Sequence, residues 1–364
     1  MIVNDETTIY NFRREILRAF NNQGYDIVLC IPEGDHTKEI EECGCRVINI
    51  SVSRHGTNPV QDLKFMSTCR RMIKEHKPDI VLTYTVKPNI YGSLACQRLR
   101  VPYINNVTGL GTILQSDSPL ARLMLLLQKL GYRKSSCVFF QNEANYKALL
   151  EKKVVKETTP VEILPGSGVN LDLHAYVPMR PDDGITRFII VSRVREDKGY
   201  NEFFDAAEKI KSKCENTEFH VVGWYEEEKY KNRIDALVEK NVIVYHGKQV
   251  QEEVHKLIAA SDCMVLPSYH EGMANVLLEA AAAGRPVIAT RIPGCRETFE
   301  EGVTGYGCEL KSADSLAEAM EKFINTPYDD RVKMGQAGRA KMEKEFDRNF
   351  VAKKYIDRIE KIIK

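Results

Sequence analysis

Two short stretches hold the residues best equipped for chemistry. In one, Glu271 and Glu279 bracket the segment Gly272-Met273-Ala274-Asn275. In the other, Ser192-Arg193-Val194-Arg195-Glu196-Asp197-Lys198-Gly199 packs three cations into six residues. A carboxylate accepts hydrogen bonds and suits hydroxyl groups. An arginine fork beside a mobile lysine suits a diphosphate. Together the two stretches point to a phosphorylated ligand that also carries hydroxyls.

The elements around these residues put them where such ligands bind. Met264-Val265-Leu266 is a short apolar run stopped by Pro267, followed by the polar turn Ser268 to Gly272. Asn275 to Ala283 is rich in helix formers, Gly284 stands at a helix C-terminus, and Val287-Ile288-Ala289 is a second apolar run. This is a parallel strand–helix–strand unit. The cationic stretch likewise follows the run Phe188 to Val191 and precedes a helix starting near Tyr200. Both loops lie at the carboxyl ends of strands and feed helix N-termini, where open α/β sheets bind anions.

The rest of the chain has the same rhythm. Apolar runs at Tyr25–Ile31, Cys45–Ile50, Asp79–Tyr84, Tyr103–Ile104 and Cys137–Gln141 alternate with helical stretches at 12–20, 38–43, 60–76 and 120–134. Met1-Ile2-Val3 reads as the tail of a first strand, with Asn4 to Thr8 as the loop after it. Loops are expected at Thr85–Gly92 and Asn105–Thr112. Pro165-Gly166-Ser167-Gly168 is the clearest linker, and a second β/α series follows it. The expected fold is α/β: two doubly wound domains, 1–166 and 167–345. The leucine-rich stretch 120–134, edged by Arg122, Lys129, Arg133 and Lys134, reads as a core helix with a basic end or as an interfacial helix.

Composition excludes several classes. At 364 residues, 43 % hydrophobic and 28 % charged, the chain is of ordinary globular make-up with room for two cores. No apolar run reaches the roughly 18–20 residues that cross a bilayer. The start has no basic region ahead of an apolar core, so no secretory signal is expected. The ten cysteines lack metal-site spacing and are expected as buried free thiols. Residues 1–170 carry 22 basic and 17 acidic side chains against 30 and 34 in the remainder. A basic first half suits an anionic membrane surface. No basic run or aromatic platform indicates nucleic-acid binding.

The order Arg193, Lys198-Gly199, Glu271-Gly272-Met273-Ala274-Asn275, Glu279 and Gly302-x-Thr304-Gly305 resembles the retaining glycosyltransferases of family 4. Ile9-Tyr10-Asn11-Phe12-Arg13 and Val107-Thr108-Gly109-Leu110-Gly111 resemble the bacterial branch that adds N-acetylgalactosamine or a related hexose to lipid-linked surface-glycan precursors. The resemblance implies a GT-B fold, two Rossmann-like domains facing a cleft, with the last helix, 346–364, packing back on the first domain. It implies that 1–166 binds the acceptor and 167–345 the nucleotide sugar. Arg193 and Lys198 would then hold the donor diphosphate and Glu271 would face the donor sugar. Glu279 would take the ribose hydroxyls, with backbone amides of Gly272 to Asn275 against sugar and phosphate. The base would lie near Gly223, Lys248 and Val250.

The resemblance further implies a UDP-sugar donor, an undecaprenyl-diphosphate saccharide acceptor and a peripheral place on the inner face of the cell membrane, with no cofactor. The chain has no D-x-D, so no metal-bridged diphosphate is expected. Two features depart from the family pattern. The first loop lacks its glycines, and the loop at Thr85 to Asn89 lacks a histidine. Lys87 or Asn89 takes that place as a polar contact, so the acceptor-side candidates are Tyr10, Arg13, Lys87, Asn89, Thr108, Gly109 and Gly111. No side chain is assigned as general base. The donor phosphate is the expected base, and leaving-group stabilisation the protein's main contribution. A nucleotide-sugar epimerase and a non-catalytic nucleotide-sugar binder share the same donor motifs.

Overall fold

Each half of the chain is built on a parallel sheet whose strands alternate with helices, as the computed structural model shows for residues 1–52, 58–110 and 118–364. Unit 1 is Met1–Gly168 with Arg348–Lys364, and unit 2 is Val169–Asp347. The seams fall at 168/169 and 347/348, beside the Pro165–Gly168 cluster and two residues past the boundaries read from the sequence.

The strands of unit 1 are β1 (Ile27–Ile31), β2 (Cys45–Asn49), β3 (Val81–Tyr84), β4 (Tyr103–Val107), β5 (Cys137–Phe140) and β6 (Val161–Ile163). Its helices are α1 (Glu6–Phe12), α2 (Arg14–Asn22), α3 (Thr37–Glu41), α4 (Pro59–His76), α5 (Ser93–Leu99), α6 (Pro119–Tyr132) and α7 (Glu143–Glu151). Ile2 is a one-residue strand that bridges Cys30 on β1 and Thr83 on β3. It joins the pair β1-β2 to the run β3-β4-β5-β6. The expected strand tail is therefore present, and it occupies the middle of the sheet. Caps mark helix starts where the sequence offers them: Asn58 Oδ1 accepts from Val60 and Gln61, and Asn142 Oδ1 from Asn145.

Three expectations change. Residues 6–8 belong to α1 rather than to a loop, and the helix breaks at Arg13 before α2. The chain after β3 is helical from Val86, with only Thr85 as a bend. Pro88 sits in the first helical turn there, where a missing N–H costs nothing. Asn105 and Asn106 lie inside β4, not in the loop after it. Their amides are buried and donate to Ser93 Oγ (2.7 Å), Thr83 Oγ1 (2.9 Å) and the Thr83 carbonyl (3.0 Å).

Unit 2 holds β7 (Thr186–Val191), β8 (Thr217–Val222), β9 (Val244–Gly247), β10 (Cys263–Leu266), β11 (Val287–Thr290) and β12 (Gly305–Cys308). Its helices are α8 (Tyr200–Lys211), α9 (Lys231–Glu239), α10 (Gln251–Ala260), α11 (Asn275–Ala282), α12 (Ala313–Ile324) and α13 (Tyr328–Lys341). Strand order is β12-β11-β10-β7-β8-β9, all parallel. The winding reverses between β7 and β10, so the loops after these two strands flank the switch point where open α/β sheets bind ligands. Buried aromatics on one face (Phe188, Phe203, Phe204, Phe219, Phe323) and an alanine-rich α11 on the other close the core.

The last helix, α14 (Arg348–Ile363), belongs to unit 1. Val351, Ala352, Tyr355 and Ile359 enter its core, and Arg348 pairs with Glu15 at 2.7 Å. All ten cysteines are free thiols, nine of them buried.

Candidate active site

The loops after β7 and β10 are tied to one another. Gly199 takes φ +75°, and a Cβ there would sit 2.1 Å from the Pro267 carbonyl oxygen. Only glycine allows that approach. Tyr269 N–H donates to the Asp197 carbonyl at 2.8 Å, and His270 Nε2 lies 3.2 Å from the Asp197 carboxylate. Burial alone would raise the Asp197 carboxyl. The His270 hydrogen bond and the charges of Arg195, Lys198 and His270 outweigh it and hold the group below its usual value.

This junction delivers Lys198 to Glu271. The ammonium donates to Oε1 at 2.6 Å, and Ser268 Oγ donates to the same oxygen at 2.8 Å. Both side chains are largely buried, at 15 % and 13 % exposure. Thr290 Oγ1, at the end of β11, holds the Ser268 carbonyl at 2.6 Å. Gly294 (φ +89°) packs on the Glu271 backbone, where a Cβ would meet the carbonyl oxygen at 2.6 Å, and its own carbonyl accepts from Ala274 N–H. An ammonium has three donors. Lys198 can therefore keep Glu271 and still meet an anion.

Arg193 has a carboxylate partner of its own. Its guanidinium bonds Glu226 on the loop after β8, at 2.8 Å, and Arg195 reaches the same carboxylate at 3.5 Å. The two loops run side by side, with Val194 N–H donating to Trp224 O at 2.9 Å. Among the described contacts, Arg193 and Lys198 share no carboxylate. Glu279 lies in the body of α11, 4.0 Å from the ring of buried His174. Met273 and Ala274 are buried beneath the turn, and Asn275 Oδ1, at the start of α11, is buried with no protein partner. Gly272 is part of the same turn, on the loop between Glu271 and α11.

Gly223, Lys248 and Val250 cluster at the ends of β8 and β9. Gly223 N–H donates to Gly247 O at 2.9 Å, Lys248 Nζ lies 5.8 Å from the Trp224 ring centroid, and Val250 is 73 % exposed. The Gly302-x-Thr304-Gly305 motif has a structural part. Thr304 Oγ1 caps the Glu300 N–H, and Gly305 packs against the Val287 carbonyl as β12 starts.

Sequence reasoning missed Glu226, Trp224, Ser268 and His174. Trp224 is the chain's one tryptophan and follows Gly223, a legible signal. The others carry no local mark.

In unit 1, Thr108, Gly109 and Asn89 line a cavity of about 80 Å³ with Thr85, Val86, Leu110, Gln128 and Tyr132. Asn89 is otherwise occupied, accepting from Thr83 Oγ1 at 2.7 Å and donating to Asn106 O at 2.8 Å. Lys87 is buried and pairs with Asp62 at 2.9 Å, which Tyr91 also contacts. Tyr10 stacks on His36 at 3.8 Å, with the Arg14 guanidinium over its ring. Arg13 is buried at the α1/α2 break. Gly111 lies outside the described residues. Among the described residues, no group of three or more His, Cys, Asp or Glu side chains is arranged to hold a metal ion.

Comparison with known proteins fits this layout. Residues 180–341 match the family "Glycosyl transferases group 1" and residues 2–142 match "Glycosyl transferase 4-like". The N,N'-diacetylbacillosaminyl-diphospho-undecaprenol alpha-1,3-N-acetylgalactosaminyltransferase of Campylobacter jejuni is 24 % identical across 98 % of this chain and 96 % of its own. The UDP-Gal:alpha-D-GlcNAc-diphosphoundecaprenol alpha-1,3-galactosyltransferase of Escherichia coli is 25 % identical across 85 % and 82 %. The crystal structure of Anabaena HepE in complex with UDP-glucose superposes with a TM-score of 0.79 at 18 % identity, over 99 % of each chain. The chain belongs to the group 1 and 4-like glycosyltransferases and has the GT-B fold.

Proposed function

We propose that the chain transfers a hexose or N-acetylhexosamine from a UDP-sugar to an undecaprenyl-diphosphate-linked saccharide, with retention at the anomeric carbon. The observation that carries the reading is the Lys198–Glu271 pair, held between the two loops of the unit 2 switch point. Lys198 meets the donor diphosphate there, and Glu271 faces the sugar while fixing the ammonium. Glu279, about one turn into α11, takes the ribose hydroxyls. The uridine ring rests at Gly223, Lys248 and Val250, beside exposed Trp224. A charge already in place as the leaving phosphate develops its own is the largest protein contribution to such a transfer. The donor phosphate oxygen accepts the acceptor's proton. No divalent cation is required, so EDTA leaves turnover unchanged.

The names of the Campylobacter and Escherichia relatives support a lipid-diphosphate acceptor and, for the latter, a UDP-sugar. Unit 1 is the acceptor side, with Thr108 and Gly109 at its cavity. The protein docks peripherally on an anionic membrane through α6. Leu120, Leu123, Leu126 and Leu130 are 48, 50, 53 and 40 % exposed on that helix. Arg122 and Lys129 flank them, Arg133 and Lys134 follow, and the helix carries no acidic residue. Such a face is complementary to anionic lipid. Among the described residues, no helix is long and apolar enough to cross a membrane.

A panel of UDP-sugars against undecaprenyl-diphosphate sugars, read as UDP release, tests the reading. Acceptor-dependent UDP release with an α-linked product from an α-donor is expected. Conversion of the UDP-sugar without acceptor would contradict it.

A further inference from the structure

We infer that unit 1 carries an oxyanion subsite built on Arg13, at the carboxyl ends of β4, β5 and β6. Arg13 stands at the break between α1 and α2, with φ −135° and ψ −2°. Its N–H still closes the last turn of α1 on Ile9 O, and the break turns the side chain inward until only 2 % of the residue is exposed.

The guanidinium is poorly served by the protein. Nη1 donates to the neighbouring Phe12 carbonyl at 3.1 Å, Cζ lies 5.2 Å from the Tyr84 ring centroid, and Nε has no partner. Among the described residues, no carboxylate comes within ion-pair reach of it. The buried hydroxyl of Tyr84 meets only that of Tyr355 and, among the described residues, no carboxylate. Arg348, buried in the same unit, shows the ordinary arrangement, with Glu15 at 2.7 Å and the Gly168 carbonyl at 3.4 Å. A buried charge that lacks a counter-charge is costly, and such a charge persists where a ligand supplies the missing partner.

The surroundings say what that ligand presents. Arg13 lines a recess with Asn106, Thr108, Gln141, Gly166 and Tyr355. The recess is small, about 10 Å³, so it takes a single terminal oxygen, with the rest of the ligand lying over its mouth. A neutral hydroxyl fits by size but leaves the guanidinium charge unmet. An oxyanion fits both size and charge, either a terminal phosphate oxygen or the carboxylate of an acidic sugar. The subsite stands on unit 1 alone, whatever sugar the enzyme transfers.

Calorimetric titration and melting curves on the full chain test it. The background is Arg193→Ala/Lys198→Ala, so that unit 2 contributes no diphosphate binding. Inorganic pyrophosphate, methyl phosphate, glucuronate and methyl glucoside are the probes. One oxyanion equivalent is expected to bind and raise the melting temperature, while methyl glucoside does neither. Arg13→Met should weaken that binding at least tenfold, and the variant should melt no lower than its parent because an uncompensated charge is gone. Tyr84→Phe should weaken it less, and it serves as the readout if Arg13→Met does not fold. Tighter binding of the phosphates assigns a phosphorylated acceptor, and tighter binding of glucuronate an acidic sugar; either upholds the subsite. Absence of binding, or binding that Arg13→Met and Tyr84→Phe leave unchanged, overturns it. UDP release by the protein with Arg193 and Lys198 intact reports the transfer reaction separately.

Discussion

Lys198 and Glu271 are 73 residues apart in sequence and 2.6 Å apart in space. The strand order of unit 2 makes that contact, because β7 and β10 are neighbours and each sends out one of the two loops. The pair is set before any ligand arrives, and Ser268 shares the same carboxylate oxygen. Glu271→Gln keeps the shape and removes the charge that fixes the ammonium. Turnover is expected to fall by about 10- to 100-fold with little change in donor KM, as for a group that acts mainly in the transition state. A change confined to KM would assign Glu271 to ground-state binding alone.

Glu279 has a different partner and a different expected signature. It lies 4.0 Å from His174, whose ring contacts His255 from α10. The proposed role on the ribose would make it a uniform binder of donor and transition state. Glu279→Ala is therefore expected to raise donor KM by roughly 10- to 100-fold, the worth of a hydrogen bond to a charged group, with kcat nearly unchanged. Steady-state kinetics at saturating acceptor check it. An equal loss in kcat would contradict it.

Unit 2 holds three histidines below their ordinary imidazole value. Burial is the largest cause at His220, His246 and His255, and His246 adds to it at His220. Glu218 pulls the other way at His220, as does Glu253 at His246. A depressed folded-state base leaves the unfolded chain to bind protons first. Their contribution is thus fully present above the unfolded value of about 6.5 and is lost as pH falls below it. The melting temperature of the protein should drop between about pH 7.5 and pH 5.5, and His255→Phe should shrink that drop. A melting temperature flat across this window would contradict the placement of these rings.

The layout of the unit 2 loops was legible because their punctuation is local. Pro267, Gly199 and Gly284 end elements where a parallel sheet needs them ended, and the cations and Glu271 fall in the resulting loops. Partners created by strand order were not legible. Glu226 reaches Arg193 from 33 residues away, and nothing near either residue marks the pair. The same holds for His174 beside Glu279. Unit 1 misled for another reason. Asn105, Asn106 and Asn89 have turn-forming side chains, yet here their amide nitrogens donate within a buried network that includes Thr83 and Ser93. Lys87 is held by Asp62 on α4, a partner 25 residues away in sequence.

The leucine face of α6 predicts how the protein meets a bilayer. Leu123→Asp/Leu126→Asp should reduce sedimentation with anionic vesicles at least tenfold while leaving the melting temperature within about a degree, since exposed positions contribute little to stability. Raised salt should weaken binding through Arg122, Lys129, Arg133 and Lys134. Undiminished sedimentation of the double variant would move the contact elsewhere.

The central claim is that Lys198, steadied by Glu271, carries charge stabilisation of the leaving nucleotide. Single-turnover UDP release by Lys198→Ala tests it most directly, with folding checked by melting temperature. The account predicts a loss of at least about 100-fold in the rate of the chemical step. Near-wild-type UDP release from a folded Lys198→Ala protein would contradict it.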